Sequence, residues 1–299
     1  MKTSVPLLNL VMNYILRRKG KQMRPVLVFL SARLHGATTD STYTAAALIE
    51  ILHTATLIHD DVVDDSNERR GFFSINALWK SKVAVLIGDY LLARGLLLAV
   101  RNKEYELLEL VADAVKEMSE GELLQIKNSR KLKISENEYY EIIRKKTAAL
   151  LACCASSGAR SAGCTPEIVK RMHEFGEKLG IAFQIKDDLL DYQLNSLTGK
   201  PVENDIHEKK LTLPLIHALE SSKAEERNRI LSIINNSEKS SRKFSEVLEF
   251  INKHDGLTYA QGEMHKYASA ALDAIREYHD SPIYASLKEF ADYVVVRDK

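Results

Sequence analysis

Apolar residues recur three and four positions apart along most of this chain, and that spacing limits the class of fold open to it. Leu107, Leu110, Val111, Ala114 and Val115 form one such stripe; Ile142, Ile143, Leu150 and Leu151, with Thr147 between them, form another. A helix of 3.6 residues per turn gathers those positions on one face. A strand would need strict alternation, and no alternating run is long enough to argue for a sheet. Six prolines and 13 glycines leave few interior breaks in 299 residues. The expectation is an all-α fold: a single-domain helical bundle of about ten or more helices around an apolar interior, covering residues 1–299 with no dividing linker.

The breaks are local. Residues 36–41 separate two helices, 65–74 are a polar turn, 129–137 a charged connection and 163–166 a short one. Residues 192–210 are the longest irregular piece, rich in Asn, Thr, Gly and Pro, and suit a lid. The net charge of +1 with 28% charged residues gives no global field for nucleic acid. Cys153, Cys154 and Cys164 have no metal-ligand spacing and read as small reduced residues of the interior. The first residues carry no basic segment followed by an apolar block, so no signal peptide is expected. The apolar stretch 84–100 is interrupted by Gly88, Asp89, Arg94 and Gly95, which argues against a membrane span. A cytoplasmic protein is expected.

Two copies of Asp-Asp-x-x-Asp carry the chemistry: Asp60, Asp61 and Asp64, then Asp187, Asp188 and Asp191. Each follows an apolar, helix-compatible run, so residues four apart share a face and project carboxylates in one direction. Stacked carboxylates repel one another unless a cation lies between them. The oxygen donors suit Mg2+, which keeps several waters and bridges to substrate phosphates. Basic residues lie near both triads. Lys21 and Arg24 flank a helix start, with Pro25 in its first turn, and a helix N-terminus is an anion site. Arg69 and Arg70 follow the first triad, and paired guanidinium donors match phosphate oxygens. Lys146 and Thr147 fall in a helix interior, and Lys200 and Lys210 follow the second triad.

The segments GKQMRP, LHTATLIHDDVVDDSNERRG, GELLQ, KKTAAL, FQIKDDLLD, TGKP, KKLTLPLI and YVVVR run in order from residue 20 to residue 297. Together they resemble a trans-type polyprenyl diphosphate synthase of the isoprenoid synthase superfamily, of the octaprenyl or solanesyl medium- to long-chain kind. The resemblance implies the type I fold, with both triads facing a central cavity and three Mg2+ held on an allylic diphosphate. Asp60, Asp64 and Asp187 are the implied direct ligands, with Asp61, Asp188 and Asp191 assisting directly or through water. Arg69, Lys146, Lys200 and Lys210 match positions that hold the allylic diphosphate. Lys21, Arg24, His53 and Arg70 match those that hold isopentenyl diphosphate. Thr147 and Gln184 match polar positions lining the reacting carbons. The implied reaction ionises the allylic carbon–oxygen bond, with attack by the isopentenyl double bond and proton loss to the departed diphosphate.

One helical turn before Asp60, about 6 Å along the helix, stand Ala55 and Thr56. The resemblance implies that small side chains here leave the hydrocarbon tunnel open, giving a medium- or long-chain product; the alternative is that they merely permit close helix packing. A homodimer is expected by analogy, with at most weak membrane association through the product. Rival readings are a terpene cyclase and a non-catalytic regulatory subunit. The full second triad together with Lys21, Arg24 and His53 argues against a cyclase, and the intact triads argue against a subunit. Only 19 residues precede Gly20, so a first helix is expected to be shortened or absent.

Overall fold

The computed structural model describes residues 4–17, 20–69, 71–129, 134–193, 210–235 and 241–297. Arg70, Lys200 and the expected lid residues 194–209 lie outside them. The described chain is all-α apart from one two-residue ribbon. In order come α1 (Pro6–Leu16), α2 (Met23–His35), α3 (Asp40–Val63), α4 (Ile75–Arg101), α5 (Tyr105–Ser129) and α6 (Glu136–Ile143). A π-helical turn, Arg144–Ala148, leads into α7 (Ala149–Ser161), which is followed by α8 (Pro166–Gln193). The last five are α9 (Leu213–Ser221), α10 (Ala224–Asn235), α11 (Ser241–Lys253), α12 (Gly256–Ala274) and α13 (Pro282–Val296). The contacts fall into two compact units, residues 1–111 with 157–166, and residues 112–156 with 167–299.

In the first unit, Thr39 caps α3: its hydroxyl accepts from the Thr42 N–H while Thr42 Oγ1 accepts from the Thr39 N–H. That reciprocal cap satisfies two otherwise unpaired amides and fixes where the long helix begins. Helices α3 and α4 pack through glycine. A Cβ on Gly88 would fall 2.1 Å from His59 Nε2, and one on Gly95 would fall 3.2 Å from Leu52. Helix α4 is long and apolar enough to cross a membrane by length and composition, yet these glycines lie under side chains of α3. Its backbone also breaks at Lys80, where φ is +70°. The short N-terminal segment does form a helix: Val11 and Met12 of α1 are buried with Ile58, Ile75 and Leu91, and Tyr14 donates to the Phe73 carbonyl at 2.8 Å. The expected polar turn after Asp64 contains antiparallel strands Glu68–Arg69 (β1) and Phe72–Phe73 (β2), closed by Gly71 at φ +77°.

In the second unit, α8 lies against the π-turn and α7 by means of Gly176 and Gly180. A Cβ on Gly180 would meet Ala148 Cα at 2.5 Å, and one on Gly176 would meet the Leu151 carbonyl oxygen at 2.5 Å. Helix α5 approaches the same turn from another side: a Cβ on Gly121 would meet the Lys146 nitrogen at 2.7 Å. Ile181, Ile185 and Leu189 of α8 join Leu213, Ile216, Met264 and Val295 in one core. A neighbouring core gathers Leu215, Leu219, Val247 and Ile251.

Candidate active site

The two aspartate triads end long helices, and each turns its middle member inward. Asp61 is 4% exposed and Asp188 5%, whereas Asp60, Asp187 and Asp191 are half-buried and Asp64 is exposed. Positions i and i+4 of a helix share a face and i+1 lies about 100° away, so this division follows from helix geometry. The Asp64 N–H donates to the Asp60 carbonyl at 2.8 Å, so the last turn of α3 holds that pair in register.

In the first unit, Lys21 is exposed ahead of α2, Arg24 is half-buried in its first turn, and His53 is buried on α3. Arg69 lies on β1. Ala55 has no exposed surface and packs with Val11, Ile58, Ala84 and Ile87, while Thr56 is half-buried with its hydroxyl donated to the His53 carbonyl at 2.9 Å.

The second unit holds a cavity of about 200 Å³ whose walls include Gln125, Tyr139, Lys146, Thr147, Gln184, Asp188, Asp191 and Lys210. That is smaller than the roughly 300–1,000 Å³ of a drug-sized ligand site and suits a polar headgroup. It joins residues that the sequence ties to the second triad with two of the expected diphosphate lysines. Lys146 and Thr147 sit on the π-turn, a correction to the regular helix interior expected there; such bulges redirect side chains and recur at functional sites. Lys146 Nζ pairs with Glu122 at 2.5 Å and donates to Gln125 at 3.1 Å. Its neighbour Lys145, outside the cavity lining, is paired with Glu120 at 2.6 Å; their shared hydrogen bond raises the ammonium pKa and lowers that of the carboxyl. The π-turn therefore separates two adjacent lysines into a cavity residue and a structural one.

Thr147 Oγ1 donates to Gln184 Oε1 at 2.7 Å, Gln184 Nε2 donates to Asp188 Oδ1 at 2.8 Å, and the Tyr139 hydroxyl donates to Asp188 Oδ2 at 2.6 Å. Burial, then the Asp188 charge, pushes the Tyr139 hydroxyl well above its ordinary pKa of 10.0, so it remains a donor. Asp187 meets Arg297 Nη2 at 2.5 Å, and that guanidinium also lies 3.9 Å from the Phe183 ring centre. Tyr139, Glu122 and Arg297 were not identified from sequence as functional residues. Glu122 lies in GELLQ and Arg297 ends YVVVR, which are the only local signals for them.

Among the described residues no three His, Cys, Asp or Glu side chains gather into a closed metal cage. The oxygen donors available, half-buried or exposed carboxylates at i and i+4, fit a hard cation that completes its shell with phosphate oxygens and water.

Residues 5–251 match the model of the polyprenyl synthetase family. Octaprenyl diphosphate synthase of Escherichia coli (strain K12) is 37% identical over 301 residues, covering all of this chain and 93% of that protein. A polyprenyl synthase from Caulobacter crescentus CB15, solved with calcium and isoprenyl diphosphate, superposes with a TM-score of 0.90 at 35% identity, covering 100% of this chain and 92% of the other. A geranylgeranyl pyrophosphate synthase from Bacteroides thetaiotaomicron gives a TM-score of 0.84 at 40% identity, with 98% and 93% covered. The fold is that of an all-α prenyl-transferring enzyme. The chain belongs to the polyprenyl synthetase family.

Proposed function

We propose that this chain is a Mg2+-dependent, chain-elongating prenyltransferase that condenses isopentenyl diphosphate head-to-tail with an allylic diphosphate, forming trans double bonds and releasing diphosphate. The observation that carries the reading is one headgroup-sized cavity lined by Lys146 and Lys210 together with Asp188 and Asp191. Cations for phosphate oxygens and carboxylates suited to a divalent ion line the same cavity. When bound, three Mg2+ supply the positive charge that stabilises the leaving diphosphate.

Asp60, Asp64 and Asp187 would hold those ions directly, with Asp61, Asp188 and Asp191 assisting directly or through water. Lys146, Lys210, Arg69 and Lys200 bind the allylic diphosphate; Lys21, Arg24, His53 and Arg70 bind that of the second substrate. As the allylic carbon–oxygen bond breaks, its electron pair leaves with diphosphate. Thr147 and Gln184 present oxygen lone pairs and amide dipoles beside the carbon that becomes positive. The isopentenyl double bond supplies the electrons of the new carbon–carbon bond, and the departed diphosphate takes the proton. Closely held reactants need no further nucleophile.

Thr56, small and half-buried one turn before Asp60, supports an open hydrocarbon path and hence a medium- or long-chain product, while Ala55 serves close packing with Val11, Ala84 and Ile87. A single-domain cytoplasmic homodimer completes the reading. The exposed Leu86, Leu97 and Val100 on α4, apolar surface suited to a partner subunit, support the homodimer alone. Membrane association is weak and made through the product. The test is incorporation of labelled isopentenyl diphosphate in the presence of an allylic primer. EDTA should abolish it and excess Mg2+ should restore it. Cyclisation of the primer without incorporation would place the chain among terpene cyclases instead.

A further inference from the structure

Asp188 is buried and accepts from two directions, from the Tyr139 hydroxyl at 2.6 Å and from Gln184 Nε2 at 2.8 Å. A carboxylate has no proton to donate, so the Gln184 amide turns its NH2 to Asp188 and its oxygen to Thr147. The Thr147 hydroxyl then gives its single proton to Gln184, at 2.7 Å. Its remaining lone pairs are available to the cavity that Thr147 lines. The whole chain thus has a direction, set at the Asp188 end. Tyr139, itself 4% exposed and fixed on α6, holds the carboxylate from the side opposite Gln184.

We infer that Tyr139 is a positioning residue for prenyl transfer: by anchoring Asp188 it fixes the direction of the hydrogen bonds through Gln184, so that Thr147 meets the reacting carbons as an acceptor. This inference rests on the elongation reading. The Tyr139 hydroxyl is spent on Asp188, so it reaches Thr147 through two intervening side chains. Removing its hydroxyl takes one donor from the Asp188 carboxylate and loosens the orientation that faces Gln184. Tyr139→Phe leaves the Asp188 carboxylate in place and the basic residues that bind the diphosphates unaltered, so the loss falls on the chemical step.

The test is a double-mutant cycle in single-turnover and steady-state kinetics on the full-length enzyme, using Tyr139→Phe, Thr147→Val and the double variant. Tyr139→Phe is expected to lower kcat about tenfold, the worth of one hydrogen bond to a charged group, while KM for both diphosphates stays within about twofold. In the Thr147→Val background the same change is expected to have little further effect, because the end of the chain has gone. Thr147→Ser, which keeps the hydroxyl, is expected to restore sensitivity to Tyr139→Phe. Unchanged kcat in Tyr139→Phe, a rise in KM alone, or losses that simply multiply would overturn the inference. Should Tyr139→Phe not fold, Gln184→Met cuts the same chain, and an undiminished kcat there overturns it equally. Wild-type protein that incorporates no isopentenyl diphosphate would instead overturn the elongation reading, and this inference with it.

Discussion

Arg297 neutralises the first carboxylate of the second triad, and its guanidinium is almost fully covered, with 7% of the side chain exposed against 39% for Asp187. A cation already in place opposes the arrival of another. Arg297→Met is therefore expected to tighten binding of Mg2+ alone by about fivefold, the equivalent of ~1 kcal/mol of screened repulsion. Isothermal titration without substrate checks this; weaker binding would mean that Arg297 orients Asp187 rather than competing for it. Ala55 and Thr56, adjacent in sequence, call for separate expectations. Ala55→Phe overfills a packed cluster and is expected to cost about 1–3 kcal/mol of stability in denaturant unfolding. Thr56→Phe, at a half-buried position, is expected to shorten the product with a smaller loss of stability. At this scale the sequence was informative about both triads, because identity and spacing alone put carboxylates on one helix face. It was silent on the Tyr139–Asp188 bond, whose partners are 49 residues apart and joined only by tertiary packing.

The π-turn at Arg144–Ala148 is the element on which the second unit's cavity depends. Gly121 on one side and Gly180 on the other approach its backbone so closely that neither site has room for a side chain. Gly121→Ala is expected to displace the turn and turn Lys146 away from Glu122 and Gln125. The result should be a fall in activity with a stability loss of about 1–3 kcal/mol. Retained activity and an unchanged unfolding midpoint would show that the turn tolerates the shift. The helices themselves were legible to within a residue or two: α2 begins with Pro25 in its first turn, α3 begins at Asp40, inside the break expected over residues 36–41, and α8 begins at Pro166, the last residue of the short break. The π-turn was not, since KKTAAL carries the same apolar spacing as a regular helix and the bulge comes from what packs on it. The break at Lys80 was equally hidden, because nothing about lysine favours a positive φ.

Across the whole molecule, the all-α class followed from periodicity and the paucity of prolines, whereas the grouping of contacts into two units had no sequence signal, such as a Gly- or Pro-rich linker. The second unit also collects tyrosines whose ionisation the fold opposes. Burial raises Tyr140, with Glu263 beside it, and burial raises Tyr259, whose hydroxyl donates to Glu136 at 2.6 Å. The folded state keeps these protons where the unfolded chain, near pKa 10.0, releases them. Their contribution is therefore complete below pH 10 and declines as pH rises above it. Tyr259→Phe is expected to make the loss of stability above pH 10 shallower; an unchanged slope in denaturant midpoints would contradict that.

Elongation past the short-chain products is the claim that most needs measurement. Labelled isopentenyl diphosphate, Mg2+ and each allylic primer in turn, with products resolved by chain length, addresses it directly. The account predicts a ladder ending at about seven to nine isoprene units, as expected for an open wall one turn below Asp60. A stop at about three or four units would contradict the open tunnel while keeping the reaction class, and no incorporation with any primer would contradict the account as a whole.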